Sequence, residues 1–584
     1  MKKRWRISFH DPVAIADLAR RAEIPPVVAQ LLLSRGISDP SEARWFLKPS
    51  LQALHPPEAF PACEQAADII WAAIQARQRI AIYGDYDADG ITATAILWKC
   101  LKLLGADVRY YVPNRLEEGY GLQTAAIEDL VQQGVQLIVT VDCGITAIPE
   151  VAFAHEKGIE VIVTDHHEPG PDLPQAAAIV HPRIGSSPFP FPWLSGAGVA
   201  FRLAWAIARR ASSGQRTDER LRDFLVQAVG LAAIGTVADV VPLWDENRIL
   251  VHYGCTHSLP KRPTLGLSYL QSLASQSSNG KTDSEWIAFQ LAPRINAVGR
   301  LGQAALAVEL LVTEKEDRAA ELASYINSLN EQRKSLEQSI YLRALRQIKE
   351  QCDPDTDPAF VLADTDWHQG VIGIVAGRLA EKFHRPVILI SLSKTGMARA
   401  VGSARSVPGL HLHEALTACA HHLERFGGHS QAAGLTIAEQ SIPAFRHEFC
   451  QYVADHFDRE QNLAEIHIDC EFPLGVFTVE VVKQIERLAP FGMGNPRPIM
   501  CCENVTLVEP PRIVGQGQQH LSLRVHHSGT TMRAIAFGAG DRSHELSCGE
   551  PFDLAFRPVI TEFRGFERVE LHVVDWRTPP QRDG

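Results

Sequence analysis

RIAIYGDYDADGITATAILWKCLKLLG, residues 79–105, decides the fold. It opens with a short apolar run that stops at Gly84-Asp85. An acidic turn follows, Asp85-Tyr86-Asp87-Ala88-Asp89-Gly90, and then a helical pattern over 91–104. Strand, turn and helix in direct succession predict one unit of a parallel sheet. The pattern repeats outward. VRYYVPNR reads as a strand, 123–133 as a helix, QLIVTVD as a strand and the region near 148–158 as a helix; IEVIVTDHH and AAAIVHP add two more strands. Strands alternating with helices place an α/β domain with a mostly parallel sheet, covered on both faces, at 71–265.

Residues 1–70 combine short helical patterns with proline breaks, as in IPPVVAQLLLSRGI and LHPPEAF, and read as an N-terminal helical cap. Residues 266–352 read as a helical connector, because 302–349 is rich in Ala, Leu, Glu, Lys and Arg and has no proline. DPDTDP at 353–358 breaks it. A second α/β domain is expected at 353–460, from FVLAD, a helix at 371–383, PVILISL and a helix at 411–424. From 461 to 577 the chain is mostly short strands, which predicts a small β-barrel.

Length and composition agree with this division. At roughly 150 residues per domain, 584 residues suggest three or four domains. An apolar fraction of 46% and a charged fraction of 21% exclude wholesale disorder. The formal net charge of −11 argues against a generally basic nucleic-acid coat protein but leaves room for a local basic groove. Eleven cysteines without a CxxC pair read as free thiols in a reducing compartment. MKKRWRISFHDPVAIADL has no apolar run of signal or membrane-spanning length, so the chain is expected to be cytoplasmic and away from membranes.

In an open parallel sheet, ligands bind beyond the carboxyl ends of the strands. Three successive strands end there in metal-capable groups: Asp85, Asp87 and Asp89; Asp142; and Asp165-His166-His167. AAIGTVADVVP adds Asp239 in an otherwise apolar stretch. Carboxylates drawn this close repel one another and are costly to desolvate, so a positive partner is required. Hard oxygen ligands with one or two imidazoles suit Mn²⁺, and Mg²⁺ less specifically. Two such ions roughly 3.5–4 Å apart can share a carboxylate, activate a water and hold a phosphoryl oxygen. Asp165 either orients an imidazole from behind or caps a turn.

On these residues the chain resembles the DHH phosphoesterase superfamily, and within it the bacterial exonucleases specific for single-stranded DNA. The motifs are YGDYDADGITA (83–93), VDCGI (141–145), TDHHEP (164–169), GTVADVVPL (235–243), LAPRINAVGRL (291–301), WHQGVIGIVAGRLAEKF (367–383), GSARS (402–406), GGHSQAAG (427–434) and LAPFGMGNPRP (488–498). The resemblance covers nearly the whole chain. It implies a DHH domain, a long connecting helix, a DHH-associated α/β domain and a C-terminal OB-type barrel, with the catalytic cleft between the first two domains. It implies two Mn²⁺ ions, or Mg²⁺. Asp85 and Asp87 match the first metal-binding motif, Asp142 the metal-bridging carboxylate, and His166 and Asp239 further ligands; His167 matches a ligand or phosphate contact. Where related pyrophosphatases carry a histidine four residues before the first aspartate, this chain has Ala81, and Asp89 is the candidate replacement ligand.

The implied reaction is 5′→3′ removal of 5′-mononucleotides from single-stranded DNA in repair and recombination. Arg115, Arg294 and Arg300 are candidate contacts to the 5′ phosphate or backbone, since the guanidinium fork suits phosphate. Tyr120 either stacks on a base or packs. Ser403 and Arg405 look like a phosphate contact on a turn. Gly428 allows close backbone approach, to a nucleotide or to a neighbouring element, and the resemblance points to substrate binding by His429. A monomer is expected, with a single-strand-binding protein and a helicase as partners. Two other classes compete: the same chemistry on short oligoribonucleotides or small phosphodiesters, and a non-catalytic scaffold. The strand-rich tail and the extra arginines favour a long polymer over the first. Retention of Asp85, Asp87, Asp142, His166 and Asp239 speaks against the second.

Overall fold

The computed structural model of the chain describes residues 3–577 apart from 116, 185–188, 213–217, 276–280, 355, 394–398 and 459–461. After a short strand, β1 (Arg4–Ile7), the first domain is built on β2 (Arg79–Tyr83), β3 (Asp107–Tyr111), β4 (Leu137–Thr140), β5 (Glu160–Thr164) and β6 (Ala178–Val180). All pair in parallel, in the order β3-β2-β4-β5-β6. Successive side chains of a strand point to opposite faces, and both faces are buried here. Ile80, Ile82 and Val139 join a core with the helices Cys63–Gln75, Ala88–Leu103 and Gly196–Ala211. Ala81, Tyr83, Ile138 and Val163 join a second core under Thr124–Gln132 and Ile148–Glu156. Burying each large apolar side chain contributes roughly 1.5–3 kcal/mol. The strand order reverses between β2 and β4, and such a switch point is where an open α/β sheet opens a crevice.

The second domain carries β7 (Phe360–Asp364), β8 (Val387–Ser391), β9 (Arg399–Arg405), β10 (Leu423–Gly428) and β11 (Ala432–Ala438), ordered β10-β11-β9-β8-β7. Only β7 and β8 run parallel. The helix expected at 411–424 is corrected: it covers Leu412–Ala418, and from Leu423 the chain joins the sheet as an edge strand. β12 (Glu465–Ile468) pairs with β1. The barrel follows, with β13 (Cys470–Glu471), β14 (Met500–Leu507), β15 (Arg512–Val514), β16 (His520–His527), β17 (Thr530–Ala536), β18 (Phe552–Phe563) and β19 (Phe566–Arg577). The order is β13-β14-β18-β19-β17-β16-β15, and β14 also pairs with β16, which closes the ring.

Two further expectations are corrected. Residues 1–70 do not form one cap but divide between two cores. The helices Pro12–Ala22, Pro26–Leu33 and Pro40–Leu47 bury Leu18, Val28, Leu32 and Phe46 in one core with Phe477, Leu523 and Phe556 of the barrel, while Cys63–Gln75 belongs to the first domain. Nor is 266–352 a free connector. The helices Leu265–Ser275, Ala292–Arg300 and Ala304–Val312 lie in the first domain's core, because their apolar faces (Leu270, Ile295, Leu311) find cover there. The link is the helix Glu316–Gln351. Its first half (Leu322, Ile326) packs on the first domain and its second half (Ile340, Ala344, Ile348) on the second. The boundary expected at 460/461 lies outside the described residues.

Arg248 joins three parts of the molecule. Its side chain is fully buried in the helix Asp245–Tyr253. It donates to Phe46 O at 2.7 and 3.0 Å, to Leu488 O at 2.9 Å and to Ala489 O at 2.8 Å, over the Phe46 ring. The LAPFGMGNPRP motif is therefore a docking segment: Leu243 N donates to Met493 O at 2.8 Å, and Asn495 Nδ2 ties back to Leu488 O and Pro490 O.

Candidate metal centre

The carboxyl ends of β2 and β4 meet at the switch point and deliver Asp85 and Asp142 side by side; β5 adds Asp165-His166-His167 next to them. Asp87 is the N-cap of the helix Ala88–Leu103, accepting from Asp89 N at 2.9 Å and Gly90 N at 3.1 Å. A Cβ at Gly90 would lie 2.6 Å from Asp85 Cβ, so glycine is what lets the helix start against the strand end. Asp89 sits over the start of the helix Gly196–Ala211 and accepts from Gly196 N at 2.6 Å and Ala197 N at 2.9 Å. Asp239 ends the helix Glu219–Ala238.

These residues converge. One possible ligand atom each from Asp85, Asp87 and Asp142 lies within 4.8 Å of the others, and the same holds for Asp89, His166 and Asp239, and for Asp142, His166 and His167. His166 Nε2 stands 3.1 Å from Asp142 Oδ1, 3.5 Å from Asp239 Oδ2 and 3.9 Å from Asp89 Oδ2. Asp142 belongs to two of the three groups and has φ of 62°. Ala81 is buried among apolar residues, and Asp89 stands with His166 and Asp239.

Burial, then mutual repulsion, pushes Asp85 and Asp239 up to about 8, Asp89 to about 7 and Asp142 well above the usual carboxylate range. Burial pulls His166 down to about 3. Asp165 behaves differently. Burial opposes its charge, but His167 Nδ1 at 2.7 Å and the amides of Ile145 (3.0 Å), His166 (2.7 Å) and His167 (3.1 Å) hold it down to about 2. Of its two readings, it fulfils both: it orients His167 and it ties the turn. His167 is disfavoured as a cation by burial, yet the hydrogen bond and charge of Asp165 carry it up to about 9.

The residues fit divalent cations. Asp85 Oδ1, Asp142 Oδ1 and His166 Nε2 are buried and make no hydrogen bond, and an orphaned buried acceptor costs about 1–3 kcal/mol or more. Three such atoms, gathered among five carboxylates, are explained by cations with oxygen and imidazole ligands.

The expected substrate contacts separate. Arg115 stacks over Tyr86 with its guanidinium 5.0 Å from the ring centre. Arg300 donates to Gly370 O at 3.2 Å across the cleft and lies within electrostatic range of Arg115, Arg333, Arg405 and Asp87. The turn expected under Ser403 and Arg405 is corrected to a strand: both lie on β9, where Arg405 donates to Ser403 Oγ at 3.2 Å and to Ala404 O at 2.8 Å. Arg115, Arg300 and Arg405 thus form a cationic group, with Arg115 in electrostatic range of Asp85 and Arg300 of Asp87. Arg294 is buried, with Nε held by Asn327 Oδ1 at 2.9 Å and Nη1 by Gln290 O at 2.5 Å. Tyr120 is tied to the centre, its hydroxyl 3.1 Å from His167 Nδ1 and donating to Asp142 O at 3.3 Å; its ring stays half exposed. Gly428 has φ of 142°, and a Cβ there would lie 2.4 Å from Ala432 O, so it serves the β10–β11 hairpin itself. His429 is exposed at the tip of that hairpin.

Other residues were not anticipated. Arg183, after β6, donates to His166 O at 2.6 Å and holds the histidine turn; an arginine just past a strand end was the available signal. Asn296 accepts from Ala88 N at 2.8 Å. Phe537 stands 57% exposed between the rings of His520 and His572, a pairing only the folded barrel creates.

Residues 79–236 match the model of the DHH family, N-terminal domain; 356–455 match the DHHA1 domain and 468–575 the RecJ OB domain. The single-stranded-DNA-specific exonuclease RecJ of Bacillus subtilis (strain 168) is 37% identical over 575 residues, covering 98% of this chain and 71% of that protein. The crystal structure of RecJ from Thermus thermophilus in complex with Mn²⁺ superposes with a TM-score of 0.82 at 32% identity, over 99% of this chain and 80% of that one. The Mg²⁺ complex of the same protein gives 0.76 at 30% identity, over 99% and 79%.

Proposed function

From the premise that this chain belongs to the RecJ family of DHH phosphoesterases, we propose that it shortens single-stranded DNA from the 5′ end, releasing 5′-mononucleotides. It is a single-stranded-DNA-specific exonuclease that works by metal-dependent phosphodiester hydrolysis, with Mn²⁺ or Mg²⁺ as cofactor. The observation that carries the reading is the cluster of Asp85, Asp87, Asp89, Asp142, His166 and Asp239 at the sheet's switch point, with three orphaned atoms facing inward.

Asp85, Asp87, Asp89, Asp142, His166 and Asp239 would hold the ions. When bound, two divalent ions lower the pKa of water and neutralise charge developing on phosphoryl oxygens. The protein supplies the rest. His167 shares its Nδ1 proton with Asp165, which leaves Nε2 to hydrogen-bond a phosphoryl oxygen or to protonate the departing 3′ oxygen. Arg300, Arg405 and Arg115 draw the terminal phosphate into the cleft and fix its register. Water adds to phosphorus, the P–O3′ bond breaks, and the 3′ oxygen leaves with a proton. Exposed Phe537, flanked by His520 and His572, offers a face on which the strand can stack beyond the cleft.

We place the enzyme in the cytoplasm as a monomer, in DNA repair and recombination, supplied by a helicase and a single-strand-binding protein. All eleven cysteines are free thiols, which suits a reducing compartment. The helix Glu219–Ala238, apolar enough to span a membrane, is mostly buried in the first domain.

Labelled strands test the polarity. With Mn²⁺, a 5′-labelled single strand is expected to give labelled mononucleotide at once, a 3′-labelled one only at the end of digestion, and blunt duplex almost none. Labelled mononucleotide appearing first from the 3′ end would reverse the proposal. Arg405→Gln should weaken single-strand binding about equally for all sequences and reduce the slope of log K against log salt by about 0.7, the value for one lost phosphate contact. An unchanged slope would remove Arg405 from the strand path.

A further inference from the structure

The second domain carries a set of donors that the exonuclease chemistry does not use. His421 and His422 end the 3₁₀ turn Ala420–His422 that leads into β10, and Glu448 lies on the helix Ile442–His456. Both imidazoles aim Nε2 at one carboxylate oxygen: His421 Nε2 is 3.1 Å and His422 Nε2 2.8 Å from Glu448 Oε2. The ring centres are 4.1 Å apart, and the three possible ligand atoms lie within 4.8 Å of one another. The side chain of His422 is 19% exposed, that of Glu448 42% and that of His421 62%, so the group is anchored on one side and open to solvent on the other.

We propose that His421, His422 and Glu448 form a second metal site, for Zn²⁺ rather than Mn²⁺ or Mg²⁺, that clips the start of β10 to the helix Ile442–His456. Two imidazoles and one carboxylate are a zinc donor set, whereas Mg²⁺ and Mn²⁺ favour oxygen-rich sites such as the carboxylate cluster. Zinc–nitrogen and zinc–oxygen bonds near 2.0–2.2 Å put neighbouring tetrahedral ligands about 3.3 Å apart, close to the 3.1 and 2.8 Å that separate the two imidazoles from Glu448 Oε2. The open side leaves the fourth position to solvent.

The place of the site gives it a use. β10 is an edge strand, and its pairing with β11 is irregular between Leu423 and Arg425, immediately after His422. Its other end carries Gly427, Gly428 and the exposed His429 turn. A metal bridging residues 26 apart in sequence fixes the loosely laddered end of this strand and, through it, the hairpin that presents His429.

The test uses the full chain with saturating Mn²⁺, dialysed against micromolar Zn²⁺. His421→Ala and Glu448→Gln are each expected to retain one zinc fewer per chain than wild type, with Mn²⁺-dependent exonuclease activity unchanged. Asp142→Asn should keep this zinc, which separates it from the carboxylate cluster. In wild type, zinc should slow amide hydrogen exchange at 420–425 about tenfold, and in His421→Ala it should not. Equal zinc content in wild type and both variants would overturn the site; zinc retention without slowed exchange would overturn the clip.

Discussion

Asp142→Asn is expected to lower turnover by about three orders of magnitude or more, while making the metal-free protein more resistant to heat. Asp142 contributes to two of the three ligand groups, and its Oδ1 has no donor of its own. Removing its charge breaks the bridge between the groups. In the metal-free chain the same charge is a liability, since Asp85, Asp89 and Asp239 crowd it in a buried space. The two effects therefore have opposite signs. Asparagine is the informative replacement, because it keeps the shape and tolerates φ of 62°, where alanine adds a backbone penalty of roughly 1 kcal/mol. Single-turnover hydrolysis at saturating Mn²⁺ reads the first effect, and thermal unfolding after chelation reads the second. Added Mn²⁺ should raise the midpoint of wild type far more than that of the variant, since only strong binding to the folded state is stabilising. Turnover within tenfold of wild type would remove Asp142 from the centre.

Arg248→Ala is expected to cost about 3–5 kcal/mol and to loosen the barrel from the first domain while leaving both folded. The guanidinium is fully buried and has no carboxylate partner among the described residues; backbone carbonyls from two distant segments, around Phe46 and Leu488–Ala489, satisfy it. Truncation leaves those carbonyls facing a cavity instead of five donors. Limited proteolysis and denaturant unfolding should both detect the change, with a separate early transition for the barrel and amino-terminal helices. A single transition at the wild-type midpoint would show that the clamp is dispensable. Lysine is expected to rescue poorly, because one ammonium cannot reach acceptors on both sides.

The sheet of the first domain was legible because its strands are buried on both faces and read as continuous apolar runs between helices. The metal centre was legible because each strand ends at its acid, so Asp85, Asp142 and His166 announce themselves without knowledge of the strand order. Long-range partnership was hidden. Nothing local in IPPVVAQLLLSRGI says that Val28 and Leu32 will meet Leu523 and Phe556, so the amino-terminal helices read as a cap. Leu270, Ile295 and Leu311 lie in helices whose periodicity is plain but whose partner is not, so they read as part of a connector. Arg294 and Arg300 are six residues apart in one motif and look alike in sequence. Only the packing of the helix Ala292–Arg300 against Asn327 turns one inward and leaves the other at the cleft.

The parallel pairing of β1 with β12, and the core shared by residues 15–47 and 470–576, set a timetable for synthesis. The ribosome makes the amino-terminal helices first and their partner last, about four hundred residues later. At roughly 5–20 residues per second, Leu32 and Phe46 wait on the order of 20–85 s with their apolar face uncovered. Both α/β domains can fold during that wait, whereas the amino-terminal helices gain the cover of their shared core only when the barrel emerges.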